Sequence, residues 1–162
     1  MLGWLLDHQA DPNPDSCTPF KMPVSYAAYK GSLEAVQLLL ERGADLSQTD
    51  ALHAAIHRTD THWKPMAQFL LDKGYDINRI ALDRRSTYRG SNDRVCVLHD
   101  AARRGKLVKV RFLLEKGADP TRKSAGGFTP RETATDDDYG DVDDDIVEIL
   151  QAAERDWKSD HA

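Results

Sequence analysis

The chain has 162 residues, of which 22 are lysine or arginine and 27 are aspartate or glutamate, so its formal net charge is −5. With 40% hydrophobic and 7% aromatic residues, it has the composition of a folded chain of one-domain size, which excludes a disordered or strongly basic protein. No stretch approaches the roughly 18 to 20 apolar residues that cross a membrane. The two cysteines, Cys17 and Cys96, have no metal-ligand spacing. We therefore expect free thiols in an intracellular protein, cytoplasmic or nuclear and not secreted.

Charge is unevenly distributed along the chain. Residues 132–162 contain 12 acidic and 2 basic side chains, a net charge of −10, which leaves +5 on the remaining residues. Among those, residues 79–123 carry 13 basic and 5 acidic side chains, a net charge of +8. Because a basic region attracts anionic groups, we expect a basic body that binds an acidic partner surface.

The predicted elements repeat along the chain. The segment YAAYKGSLEAVQLLLERGADLS, which starts at Tyr26, aligns without a gap with DAARRGKLVKVRFLLEKGADPT, which starts at Asp100. A fixed period of this kind is the sequence signature of a repeat protein. In chain order, the predicted repeats cover about residues 1–13 (a partial copy), 22–47, 50–78, 96–121 and 127–155.

Each complete copy predicts two short helices and a turn. In the second copy, four apolar residues recur at three- and four-residue intervals, which is typical of a helix with one buried face: Leu33, Val36, Leu39 and Leu40. A glycine suited to a left-handed cap follows the second helix in three copies: Gly43, Gly74 and Gly117. One such helix pair cannot cover its own apolar faces, so we expect stability to come from stacking of neighbouring copies.

Further residues recur at matching positions of the third, fourth and fifth copies: Leu52, His53, Ala55; Leu98, His99, Ala101, Ala102, Gly105; and Gly127, Phe128, Thr129, Pro130. With these residues the chain resembles the ankyrin repeat family over most of its length. The resemblance implies an all-α, ankyrin-type helix-turn-helix solenoid of about four and a half repeats, with residues 1–162 as one domain. It also implies that His53 and His99 form hydrogen bonds between adjacent turns.

The chain departs from the family pattern at four positions, where we expect weaker local geometry. These are Ser25 and Glu132 in place of the motif histidine, Gln9 in place of a capping glycine, and Thr59 in place of the glycine between the helices.

Two segments fall outside the repeat. Residues 79–95 form an arginine-rich insertion, which predicts either an extended basic loop that binds a partner or a solvated loop without a role. Residues 136–145 form an acidic loop, whose last residues, Asp143 to Asp145, favour the N-terminus of a final helix. The alternative is a regulatory role, in which this acidic segment competes with an acidic partner for the basic body.

No residue pattern predicts catalysis. The sequence lacks a nucleophile elbow, a phosphate-binding loop and an EF-hand. His57 and His62 lie near Asp60 and could bind a metal ion if the loop folded back, but the sequence places no third ligand. We therefore predict no enzyme activity, no cofactor and no metal site.

Protein binding is the favoured function. The resemblance implies contact through the concave face and finger loops of the stack, including the variable pair after the alanines. Together with the insertion, this predicts the following partner-binding residues: Tyr26, Tyr29, Lys30, His57, Arg58, Arg84, Arg85, Tyr88, Arg89, Asp100, Arg103 and Arg104. Aromatic and arginine side chains dominate interface hot spots, so we expect a partner with acidic groups around an apolar centre.

Three further hypotheses stay open. The chain could be the targeting fragment of a larger multidomain protein, with an enzymatic domain elsewhere. Residues 79–123 could bind nucleic acid weakly through phosphate contacts. Finally, Leu2, Trp4 and Leu5 belong to an incomplete repeat without its polar cover, so this N-terminal half repeat could mediate self-association.

Overall fold

The computed structural model describes residues 1–14, 22–81, 87–88, 93–135 and 143–160 of the chain. Contacts divide the chain into two compact parts, Met1–Tyr75 and Asp76–Ala162. We call them the N-terminal part and the C-terminal part, and each is described by itself. Both are built from short helix pairs, which confirms the all-α fold class, whereas a single domain over 1–162 stays a prediction.

The described residues of the N-terminal part form five α-helices. These are α1 (Leu2–Asp7), α2 (Pro23–Lys30), α3 (Leu33–Glu41), α4 (Ala51–Ile56) and α5 (Trp63–Asp72), with a 3₁₀ turn at Leu46–Gln48. Helix α2 packs against α3, and α4 packs against α5, so each pair lies within one predicted repeat. Helix α2 also packs against α4. The first helices of two successive repeats are therefore direct neighbours.

Small side chains allow the first helices to approach closely. All residues of α4 are buried, including Ala51, Ala54 and Ala55, and α2 buries Ala27 and Ala28. Larger apolar residues fill the core from the second helices, at Val36 and Leu39 of α3 and at Met66 and Leu70 of α5. The core of the N-terminal part thus lies between the first and second helices of each repeat.

The C-terminal part begins with a hairpin, where the sequence predicted only an extended loop. The Ala81 amide donates to the Val95 carbonyl over 2.9 Å, and strand β1 (Thr87–Tyr88) pairs antiparallel with β2 (Asp93–Arg94). The Ala125 amide donates to the Arg94 carbonyl over 2.9 Å. These bonds tie the end of the insertion to the turn that precedes the next repeat.

Four helices follow the hairpin in the described residues. They are α6 (Val97–Arg103), α7 (Leu107–Glu115), α8 (Pro130–Ala134) and α9 (Asp144–Asp160). Helix α6 packs against both α7 and α8, and α9 packs against α7 and α8. Helix α9 ends at Asp160, beyond residue 155 where the sequence pattern placed the end of the last repeat.

The turns repeat as faithfully as the helices do. Gly43, Gly74 and Gly117 follow α3, α5 and α7 with φ angles of 86°, 84° and 84°, which confirms the predicted left-handed caps. Gln9 adopts the same conformation after α1 with φ 67°. Because a side chain in this region is strained by roughly 1 kcal/mol, Gln9 weakens the first cap as expected.

An aspartate-based turn recurs four times after these caps. In each case an aspartate carboxylate accepts from the amide two residues later over 2.8–2.9 Å, at Asp11, Asp45, Asp76 and Asp119. Asn13 also bridges to the next repeat, because its side chain donates to the Gly43 carbonyl and accepts from the Asp45 amide, both over 2.8 Å. Asn78 likewise accepts from the Asp119 amide over 2.8 Å. Short polar side chains thus couple successive turns.

At His99, the motif histidine has the structural role that the resemblance implies. His99 is fully buried, and its Nε2 donates to the Phe128 carbonyl of the next repeat over 2.8 Å. A carbonyl only accepts, so Nε2 carries the proton and Nδ1 accepts from the Cys96 thiol over 2.8 Å. Burial raises the pKa of the Cys96 thiol to about 11, so the group stays a protonated donor.

A tyrosine compensates for the missing histidine of the second copy. Ser25 stands in place of that histidine, and its hydroxyl accepts from the Asp50 amide over 3.1 Å. The Tyr75 hydroxyl donates to the Thr49 carbonyl over 3.0 Å, and Thr49 precedes its repeat's motif turn as Phe128 does. Tyr75 stands where the matching repeats carry alanine. The Thr49 carbonyl therefore has a buried hydrogen-bond donor.

Glu132 strengthens its helix, so the expectation of weaker geometry at this position is wrong. The Glu132 carboxylate accepts from the Thr129 amide over 2.8 Å, and the Thr129 hydroxyl accepts from the Glu132 amide over 3.3 Å. This reciprocal capping box satisfies two amides at the start of α8. Asp143 caps α9 in a similar way by accepting from the Ile146 amide over 3.3 Å, as the acidic pattern predicted.

Candidate functional site

Residues from two successive repeats meet at the end of α2. Tyr29 and Lys30, in the last turn of α2, line a depression of about 90 Å³ together with His57 and Thr59 from the loop after α4. Sequence analysis predicted the pairs Tyr29–Lys30 and His57–Arg58 separately, because they occupy equivalent positions. The structure brings them to one place, since α2 and α4 pack side by side.

Tyr26 extends this surface by one helical turn. It lies three and four residues before Tyr29 and Lys30, so the three side chains share one side of α2. Tyr26 is 62% exposed. We use the name α2 face for Tyr26, Tyr29, Lys30, His57 and Thr59.

Lys30 is held beside the depression by an aromatic ring. Its Nζ lies 4.4 Å from the centroid of the Tyr29 ring, which is within the range of a cation–π contact. Among the residues that the structure describes, no carboxylate pairs with Lys30. The ammonium group is therefore positioned by Tyr29 but not neutralised.

Arg58 is a structural residue rather than an exposed contact residue, which corrects the sequence-based expectation. Only 7% of its surface is exposed. Its Nη1 donates to the Ala28 and Gly31 carbonyls over 3.1 and 2.8 Å, and its Nε and Nη2 donate to the two carboxylate oxygens of Asp60 over 2.9 and 2.7 Å. The carbonyls at the end of a helix have no partner within the helix. Arg58, which belongs to the following repeat, supplies a hydrogen-bond donor to the carbonyls at the end of α2.

Asp60 completes this clamp, since both of its carboxylate oxygens accept from Arg58. Its hydrogen bonds with Arg58 lower the pKa of the carboxyl to about 2, so it is ionised throughout the ordinary pH range. His62 Nδ1 lies 3.8 Å from the same carboxylate. Over the described ranges, no three histidine, cysteine or acidic residues converge as metal ligands. The carboxylate that the metal hypothesis required is bound to Arg58.

A larger depression of about 410 Å³ lies next to the same clamp. Apolar side chains of Leu33, Pro65 and Met66 line it, together with Glu34 and His62. No motif in the sequence indicated this depression. The loop between α4 and α5 that borders it is longer than the loop between α2 and α3.

The C-terminal part has a second arginine cluster with a buried anchor. Asp100 was predicted to contact a partner, but it is fully buried, so the expectation of an exposed residue is wrong. Its carboxylate accepts from Arg103 Nη2 over 2.8 Å and from Arg104 Nε over 3.0 Å. The Arg103 side chain is 12% exposed and that of Arg104 is 45% exposed. Of this set, Arg104 presents the larger surface to solvent.

Most of the predicted contact residues of the insertion lie outside the described residues. Arg84, Arg85 and Arg89 lie outside the described residues, and only the backbone of Tyr88 is described, in β1. The acidic residues 136–142 also lie outside the described residues. At the N-terminus, the Trp4 and Leu5 side chains are 61% and 43% exposed.

Within the described ranges, no helix is long and apolar enough to cross a membrane.

Comparison with known proteins agrees with this architecture. A family model of ankyrin repeats in three copies matches residues 1–81 and 26–124. The chain is 37% identical over 107 residues to the B-cell lymphoma 3 protein homolog of Mus musculus, which covers 64% of the chain and 22% of that protein. It is 31% identical over 109 residues to palmitoyltransferase ZDHHC13 of Mus musculus, over 64% of the chain and 15% of that protein.

A third relative is palmitoyltransferase AKR1 of Lachancea kluyveri, which is 27% identical over 136 residues, or 75% of the chain and 17% of that protein. The chain therefore spans only about a fifth or less of the length of the relatives it matches. Because the family model covers well over half of the chain, and because its helix pairs, glycine caps and motif histidine recur in the structure, the chain belongs to the ankyrin repeat family.

Proposed function

We propose that this chain is a non-catalytic module that binds a partner protein through the α2 face and the exposed arginine of the C-terminal part. Ankyrin repeats are protein-binding modules and generally have no catalytic role, which supports the coarse assignment. The finer assignment rests on one observation. A largely exposed tyrosine, Tyr26, shares a helix side with the unneutralised Lys30, next to the loop of the following repeat.

The chemistry of this surface favours a partner with acidic groups around an apolar centre. Tyr26 provides apolar area together with a hydroxyl group, and such rings are frequent at interface hot spots. Lys30 lies one turn further along α2 and provides positive charge at the edge of that area. Arg104 offers a second positive group, whose guanidinium is held in place by the buried Asp100.

The test compares two exposed apolar residues. Tyr26→Ala should weaken partner binding by tenfold or more, on the order expected for an interface hot spot. Val108→Ala is the matched control, because Val108 is 69% exposed on the second helix α7. Partners captured from a cell extract by the unmodified chain should be lost with Tyr26→Ala and retained with Val108→Ala, at equal thermal stability. Equal retention by both variants would reject the proposal.

Arg104, rather than Arg103, is the residue to change in the C-terminal part. Arg103 is nearly buried on Asp100, so its reversal to glutamate would place two carboxylates together and destabilise the fold. Arg104→Gln keeps Arg103 on Asp100 and removes only the exposed charge. We expect weaker binding of the captured partner with little loss of stability, as measured by titration and thermal unfolding.

Other roles have weaker support. The relatives named as palmitoyltransferases match this chain over its repeats, which agrees with a targeting role inside a larger protein. A cytoplasmic or nuclear location agrees with the free thiol of Cys96. Self-association through Trp4 and Leu5 stays a prediction, and light scattering on the purified chain tests it. Nucleic acid binding predicts affinity that falls steeply with salt.

A further inference from the structure

The depression on the α2 face has the size of a single functional group. Its volume is about 90 Å³, while one water molecule occupies about 30 Å³ of liquid and small-molecule sites occupy roughly 300–1,000 Å³. A cofactor or a metabolite does not fit into it. One side chain of a partner does.

Arg58 already occupies several acceptors beside this depression. The Arg58 guanidinium donates hydrogen bonds to both oxygens of the Asp60 carboxylate and to the carbonyls of Ala28 and Gly31. Arg58 and Asp60 both line the depression, and their charges cancel. The other titratable groups that line it are Tyr29, Lys30 and His57. With histidine counted as neutral, Lys30 leaves the lining with a net positive formal charge.

Two donors at the same place have no acceptor among the described residues. The Lys30 ammonium rests on the Tyr29 ring and pairs with no described carboxylate. The exposed Thr59 hydroxyl makes no hydrogen bond with a described residue. Thr59 also replaces the glycine that the repeats carry at this point, so its hydroxyl is a feature of this one loop. A site with two spare donors and a net positive formal charge is complementary to a carboxylate.

We propose that this depression receives one glutamate or aspartate side chain of the partner, which accepts from Lys30 and Thr59 while a neighbouring apolar side chain of the partner packs on Tyr26. This inference rests on the proposed function and makes it specific. It requires the partner to carry an acidic residue next to an apolar residue in an exposed peptide segment. Recognition then depends on one carboxylate rather than on the total negative charge.

The experiment uses a random dodecapeptide library displayed on phage and selected against the full chain. Enriched peptides should share an acidic residue beside an apolar one. The tightest of them is synthesised with a fluorophore, together with a twin in which that acidic residue is replaced by glutamine or asparagine. Their Kd values are measured by fluorescence polarisation at physiological ionic strength for the unmodified chain, Lys30→Met and Lys73→Met.

Lys73→Met is the matched control because Lys73 is also an exposed lysine over an aromatic ring, with its Nζ 5.5 Å from the Phe69 centroid. We expect Lys30→Met to weaken the acidic peptide about tenfold, as for one charge-assisted hydrogen bond, and Lys73→Met to leave its Kd unchanged. The amide twin should bind the unmodified chain and Lys30→Met equally weakly. In addition, Thr59→Glu should block the acidic peptide more strongly than Thr59→Gln, because it supplies the carboxylate from the chain itself.

Three results overturn the inference: enrichment of peptides without an acidic residue, an amide twin that binds as tightly as its parent, or equal effects of Lys30→Met and Lys73→Met. Tyr26→Ala distinguishes protein binding by the α2 face from recognition of a carboxylate in the depression. If it weakens the enriched peptides in any of these cases, the α2 face still binds protein and only the carboxylate inference fails. If Tyr26→Ala has no effect either, the proposed function fails with it.

Discussion

Replacement of Arg58 by methionine should destabilise the fold instead of only weakening partner binding. The methionine keeps the length of the buried stem but removes the donors to the Ala28 and Gly31 carbonyls. A hydrogen bond from a charged donor contributes about 1.5–3 kcal/mol, and both carbonyls belong to the end of α2, where no helical partner exists. The loss of two such bonds should lower the free energy of unfolding by about 3 kcal/mol.

Urea unfolding followed by circular dichroism at 222 nm measures this change. Arg111→Met is the control, because Arg111 is exposed on α7 and its substitution should change stability by less than about 0.5 kcal/mol. Arg58→Lys should fall between the two variants, since an ammonium can reach one carbonyl but cannot form the planar fork with Asp60. An Arg58→Met variant as stable as Arg111→Met would show that the clamp contributes nothing and would return Arg58 to the list of surface contact residues.

Three more predictions concern single polar groups. Tyr75→Phe removes the donor to the buried Thr49 carbonyl and should lower the free energy of unfolding by about 1.5 kcal/mol in urea, whereas an unchanged midpoint would refute the compensation for Ser25. The folded pKa of Asp60 is about 2, below its ordinary value of 3.8, so its stabilising effect is complete above the ordinary value and lost as pH falls through about 2. Asp60→Asn should be less stable than the unmodified chain at pH 6, and the difference should shrink as pH is lowered from 3.8 through about 2; a difference that stays constant over this range would contradict the role of the ionised carboxylate. In a Cys17→Ser variant the remaining thiol of Cys96 should not react with Ellman's reagent at pH 8 until urea unfolds the chain, and rapid reaction of the folded protein would contradict its burial.

The repeated features could be predicted because each has a local cause. A glycine after the second helix needs only a left-handed conformation, and Gly43, Gly74 and Gly117 adopt it. The histidine of the motif acts at a fixed offset, so His99 could be assigned its bond to the following turn. The acidic residues before α9 act on the nearest amides, as Asp143 does.

The site was predicted only in part because exposure depends on contacts distant in sequence. Tyr26, Tyr29 and Lys30 follow from their places on α2. Arg58, however, looks like a surface residue until the end of α2 is placed beside it, 27 residues earlier in the chain. Its spacing to Asp60 was the one local signal of a fork. A single aspartate–arginine pair cannot distinguish a buried clamp from a solvated pair.

Asp100 shows the same limit in the C-terminal part. It occupies a position that varies between repeats, which favoured a contact role, yet its carboxylate is buried under two arginines. The compensation by Tyr75 is a further example, because Ser25 and Tyr75 are separate departures from the pattern that become one feature only when α2 and α4 are adjacent.

Site-specific photo-crosslinking tests directly whether the partner binds through the α2 face. Benzoylphenylalanine is placed at Tyr26 in one variant and at Val108 in another, and each is irradiated with the partner recovered by the unmodified chain. Binding through the α2 face predicts a covalent adduct with the partner from position 26 and none from position 108. An adduct from position 108 with none from position 26 would contradict binding through the α2 face.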